Sequence, residues 1–211
     1  MNAHRAGFTF WQIAAVLAVF LAVAAILFPL FQKVRERPHH ESCQSNLKIF
    51  GLVYTEYLQD NDEKYPPSVN AAGSGWAGKI YPFIKATIYP FTKATDVYKC
   101  PNDTTEGQHI SYAQNQALTG QPLAALANPI YTVELYEFTT LNCDPSTPET
   151  VSATGLAAPQ DSKRHSDQDF RLNFLAADGH VKMLKPGQVS SGPSAVSPQK
   201  RGAFVMTFAV K

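Results

Sequence analysis

The chain is short of charge in two senses. Its formal net charge is +1 with pI ≈ 7.7, which leaves no electrostatic footprint for nucleic acid or for an anionic membrane surface. From Phe8 to Gln32 there is no charged side chain at all. It is also short of catalytic signatures. There is no Gly-x-Ser-x-Gly elbow of a serine hydrolase, Gly73-Ser74-Gly75 being a loop tripeptide, and no His-Glu-x-x-His of a zinc protease. Cys-x-x-Cys and Cys/His zinc spacings are missing, as is the acidic loop closing on Glu that binds Ca²⁺. Cysteine itself is sparse: Cys43, Cys100 and Cys143 cannot all pair within one chain and leave three choices of single bridge.

What is present begins with the uncharged run. At a rise of ~1.5 Å per residue, a helix over residues 8–32 is long enough for a ~30 Å hydrocarbon core. A cleaved secretory signal has a shorter apolar core and a small-residue cleavage site, whereas here Pro29-Leu30-Phe31-Gln32-Lys33 follows. A retained single-pass membrane helix is therefore expected. Charge counting divides on its orientation, because Arg5 precedes the run and Lys33, Arg35 and Arg37 follow it. Pro38 is expected to kink or locally melt the helix.

Beyond the collar, Leu47, Phe50, Gly51, Tyr54, Tyr57 and Leu58 recur by threes and fours, the apolar face of an amphipathic helix that Asp60 to Glu63 and Pro66-Pro67 bring to an end. About 180 residues outside the membrane suffice for one head, and most of the fifteen prolines and twelve glycines fall there, predicting short strands and many turns. Trp76 to Tyr98 reads as short helical turns, Ile130 to Tyr136 as a strand after an Asn128-Pro129 turn, and Ala203 to Val210 as a terminal strand; 144–161 and 186–202 read as loops. Alternation on both sides of Asp178-Gly179 predicts a hairpin over Leu172–Leu184 with a two-residue type I′ turn. Glu134 and Glu137, three apart, belong on opposite faces of an extended strand and read as solvent-facing or paired carboxylates. In the polar cluster His165, Asp167, Asp169, Asp178 and His180, the Asp167-x-Asp169 pair offers oxygens to Ca²⁺, while His165 and Asp178-Gly179 read as turn and hydrogen-bonding residues.

Met1 to Gly7 is a short leader containing Arg5 and ending in Gly, with Phe8-Thr9 and the apolar helix directly after it. This order resembles the class III signal of type IV pilins and type II secretion pseudopilins. The resemblance implies cleavage after Gly7 by a prepilin peptidase, methylation of the new amino terminus at Phe8, and a helix-kinking role for Pro29. The family usually has Glu where this chain has Gln12, so a charge pair with a neighbouring subunit's amine becomes at most a hydrogen bond; a minor or tip subunit is then the more natural place. Cys43-Gln44-Ser45-Asn46-Leu47-Lys48, Tyr65-Pro66-Pro67, Cys100-Pro101 with Asp103, and Ser111-Tyr112-Ala113-Gln114-Asn115 resemble segments of one pilin-like group, whose C-terminal signature is a His before Asp-Gly with Val-Lys after it. His165 stands further from Asp178-Gly179 than that signature has it.

The resemblance favours a Cys43–Cys100 bridge, with Cys100–Cys143 as competitor. It also implies an α+β fold in which a long N-terminal helix, transmembrane in its first half and amphipathic in its second, packs on a mostly antiparallel sheet. The boundaries are a leader at 1–7, a membrane helix at 8–32, the amphipathic half at 33–64 and a head at 65–211. A structural, non-enzymatic filament subunit is expected, single-pass in the inner membrane with its head periplasmic or extracellular, and in the filament after assembly. Its partners would be homologous subunits, the peptidase, the inner-membrane assembly platform and membrane lipid, with no nucleic acid and no cofactor, except that some major pseudopilins bind Ca²⁺. The alternative is a membrane-tethered binding module that does not polymerise.

Overall fold

The computed structural model describes residues 10–67, 75–88, 95–107, 109–141, 164–165, 171–191, 195–200 and 202–211. Gly7, Phe8, Cys143, Asp167 and Asp169 lie outside them, as does the loop expected over 144–161. Helix α1 is Phe10–Asp60; it runs through Pro29 and Pro38, so the chain does not melt out of helix at Pro38. The chain divides into two compact units, Met1–Pro38 and His39–Lys211.

In the first unit, Phe10–Leu27 has a mean hydropathy of 2.5 and none of its residues is buried, so it is long and apolar enough to cross a membrane. In the second unit, α1 turns the predicted stripe inward: Cys43, Leu47, Phe50, Val53, Tyr54, Tyr57 and Leu58 are buried. Asp62 and Glu63 then take φ of 53° and 54°, and the Glu63 N–H donates to the Leu58 carbonyl at 2.9 Å, a left-handed ending that closes the helix. Helix α2, Trp76–Ile88, replaces the short turns expected there. Trp76, Ile80, Ile84 and Ile88 fall at every fourth position and bury one face, which outweighs the N–H that Pro82 removes from within the helix. Phe50 is the hub between the two helices and the sheet, meeting the edges of Trp76, Tyr98 and Tyr112 at centroid distances of 5.8, 5.2 and 5.3 Å.

The main sheet is an antiparallel meander of β1 (His109–Gln114), β2 (Val133–Leu141), β3 (Leu172–Ala176) and β4 (Val181–Leu184), in that spatial order. Strand β2 begins later than expected, because Tyr131 N–H bonds back to the Asn128 carbonyl at 3.2 Å and keeps residues 128–131 in the turn. A second, parallel pair joins β5 (Val189–Ser190), inside the stretch expected to be loop, to β6 (Met206–Thr207), all that is paired as strand within Ala203–Val210. Asn115 knots these pieces: its amide donates to the carbonyls of Val133 and Phe208 and its oxygen accepts from Ala117 N–H.

Both faces of the main sheet are covered. Ile110, Tyr112, Leu135 and Leu175 face the helices, while Val133, Tyr136, Phe174, Met206 and Phe208 form a second core on the other side. All of β3 is consequently buried. The hairpin is present but its turn differs from type I′. Gly179 N–H donates to Ala176 O and Ala176 N–H to His180 O, both at 2.9 Å, with positive φ at Gly179 alone (89°). This is a three-residue loop in which one left-handed glycine completes the turn. The loop lies against α1: a Cβ on Gly51 would stand 3.2 Å from Gly179 Cα and 3.1 Å from Leu175 Cδ1.

Candidate functional site

A buried polar assembly among the described residues of the head grows from β2. Pairing of Val133 with Ala176 and of Leu135 with Leu175 leaves Glu134 as an extra residue, a β-bulge. The bulge breaks the strict alternation behind the expectation of opposite faces. Both carboxylates turn to the α1 side, and both are buried, Glu134 at 2% and Glu137 at 0% exposure. They are neither solvent-facing nor paired with each other.

Glu137 is fully provided with donors. Asn173 gives its backbone N–H and its side-chain amide, each at 2.8 Å, and His165 Nε2 stands 3.0 and 3.1 Å from the two oxygens. On the far side of the ring, His165 Nδ1 is 2.8 Å from the Asn102 amide nitrogen. With that amide donating, the ring proton sits on Nε2 and points at Glu137. Burial pushes the Glu137 carboxyl up, but the hydrogen bond of His165, the charge of Arg164 and the Asn173 amide together hold it below the ordinary value.

An ion pair adjoins this core. Arg164 donates to Asp103 Oδ2 at 2.8 Å and to the Ser111 carbonyl at 2.9 Å, and the Ser111 hydroxyl donates to the same Asp103 oxygen at 2.7 Å. Gln44 reaches from α1 to Asn173 Oδ1 at 3.1 Å, and Asn46 donates to the Lys99 carbonyl at 2.9 Å. Against the carboxylate lies a disulfide between Cys43 and Cys100, Cα atoms 4.9 Å apart, with Cys100 Sγ 3.9 Å from Glu137 Oε1. The fold thus draws the motif segments around Cys43, Cys100, Ser111 and His165 into one buried locus. Comparison of the chain with family models, curated proteins and solved structures returns no match.

The ring nitrogens of His165 meet Asn102, Glu137 and Asn173. Disulfide sulfurs are poor metal donors because ligation requires thiolates, so the set Cys43, Cys100, Glu137 and His165, whose ligand atoms all lie within 4.8 Å of one another, is closed to metal in the oxidised head.

Asp178-Gly179 is away from this network, in the loop against α1. Its Asp178 carboxylate contacts His180 Nδ1 and faces Glu134 from a distance. Gln12 lies on the exposed apolar stretch of α1, and Pro29 within the same helix. Reading along the chain missed Asn102, Arg164 and Asn173 as partners of His165 and Glu137. Polar residues inside otherwise apolar strands, Asn173 within Leu172–Ala176 above all, were the available signal.

Proposed function

We propose that this chain is a pilin-like subunit of a pseudopilus or type IV pilus-like filament, cut after Gly7, methylated at Phe8 and anchored in the inner membrane by α1 until it is assembled. The observation that carries the reading is the division of α1 into two kinds of surface. Phe10 and Phe20 are 83% and 71% exposed, whereas Phe50, on the same helix, is fully buried. Exposed apolar side chains all round one end of a helix need lipid or other helices. The buried stripe at the other end makes that helix inseparable from its head, so a pull on one is transmitted to the other. The polar network at Glu137 then serves to brace the head, and no catalytic step is assigned to it.

Mass spectrometry of the protein made alongside its own peptidase provides the test. A terminus at Phe8, carrying a methyl group, is expected, and an intact Met1 would overturn the reading. Gln12→Glu, which restores a carboxylate able to meet a neighbour's amine, is expected to raise the fraction recovered in filaments by severalfold; unchanged recovery would remove Gln12 from the assembly contact.

A further inference from the structure

We infer that the head holds a zinc site that opens when the Cys43–Cys100 bond is reduced, with both cysteine sulfurs, His165 Nε2 and a Glu137 oxygen as the four ligands. Their ligand atoms already lie within 4.8 Å of one another and all four residues are buried. Tetrahedral zinc, with bonds of about 2.3 Å to sulfur and about 2.0 Å to nitrogen or oxygen, needs its ligand atoms roughly 3.3–3.8 Å apart. The donor atoms come from α1, the segment after α2, β2 and residue 165, elements already packed together. Binding therefore asks for side-chain adjustment rather than for a new fold.

The outer contacts suit a metal. The Asn102 amide, turned to present its oxygen, accepts from Nδ1–H and frees the Nε2 lone pair, and Asn173 orients the carboxylate. Two thiolates and a carboxylate exceed the charge of Zn²⁺ by one negative unit, which Arg164, itself paired with Asp103, lessens only in part. The redox step balances with a phosphine reductant. The disulfide takes up two electrons and two protons to become two thiols, the phosphine becomes its oxide with oxygen from water, and Zn²⁺ displaces the two thiol protons. Disulfide and zinc are thus alternative clasps on one locus, and each excludes the other.

The test uses the full chain in detergent with Cys143→Ser, reduced by a water-soluble phosphine in denaturant and refolded with or without Zn²⁺. One zinc per chain is expected in the reduced protein and none at this locus in the oxidised one. X-ray absorption should show two sulfur and two nitrogen or oxygen neighbours. His165→Ala and Glu137→Gln are each expected to weaken binding at least tenfold, with circular dichroism of their oxidised forms reporting whether they fold. Should reduced protein refold only with zinc, the site is supported through its coupling to folding. Refolding that zinc does not aid, together with no bound zinc, would overturn it. So would zinc held by the sulfurs alone, or bound equally well by oxidised protein or by folded His165→Ala.

Discussion

Glu134 and Glu137 stand on the same strand, both buried, and the protein treats them in opposite ways. Glu137 has the Asn173 amides and His165 at hydrogen-bond distance, and its carboxyl is held low. Around Glu134, burial dominates and pushes the carboxyl well up; Tyr65 lowers it somewhat and the Asp178 charge raises it further. The Tyr65 hydroxyl acts on Glu134 without a bond of regular geometry, and the neighbouring Tyr54 hydroxyl likewise meets no hydrogen-bond partner among the described residues. Burial alone thus does not decide ionisation. The donors aimed at the carboxylate and the charges beside it do.

The sharpest way to break this contrast is Glu137→Ala, which strands His165 and both Asn173 donors in the interior. It is expected to cost about 3–5 kcal/mol in urea unfolding of the detergent-solubilised protein; a loss below about 1 kcal/mol would show that the network braces nothing. Replacing both Cys43 and Cys100 by Ser releases the clasp on the Glu137 side only. Because the bridge spans a sequence separation of 57, a loss of about 4 kcal/mol is expected by the same measurement.

Gly51→Ala probes the Glu134 side through the hairpin loop. Alanine gains about 1 kcal/mol in helix propensity, while a Cβ 3.2 Å from Gly179 Cα overpacks the contact at about 1–3 kcal/mol. A net loss of about 1 kcal/mol is expected, together with weakened amide-exchange protection at Ala176 and Gly179.

The smallest effect at pH 5 is expected for Glu134→Gln, a gain below about 1 kcal/mol that increases as pH rises. The sign follows from the shift. A carboxyl raised above its ordinary 4.5 contributes stability below that pH and loses it as pH climbs through the folded value, and glutamine escapes this loss. For Glu137, lowered below 4.5, stability is present above the ordinary value and disappears as pH falls through the folded one. Stability differences of the two glutamine variants from the parent should therefore slope oppositely with pH, and parallel slopes would refute the contrast.

Much of the architecture was legible in residue order. The α1 stripe and the chain reversal at Asp178-Gly179 follow from local periodicity and turn chemistry, which act over a few residues. The site was legible only in fragments. Asn102, Glu137, His165 and Asn173 have no spacing that announces a cluster, because strand pairing and the packing of α1 bring them together. Even the faces of Glu134 and Glu137 depended on a bulge that exists only once β2 has paired with β3.

Taken alone, the order of residues determined where an apolar membrane-length helix stands, where the amphipathic half follows it, and that a short-stranded head comes after. These are properties of neighbours along the chain, and the physics of helices and turns reads them directly. Tertiary structure decided that Cys43 meets Cys100, that the Glu137 carboxyl is held low while that of Glu134 is pushed up, and that the sheet is covered on both faces. Each of these depends on which donors, sulfurs and apolar surfaces arrive from distant segments, and burial and ionisation are set by that company rather than by sequence position.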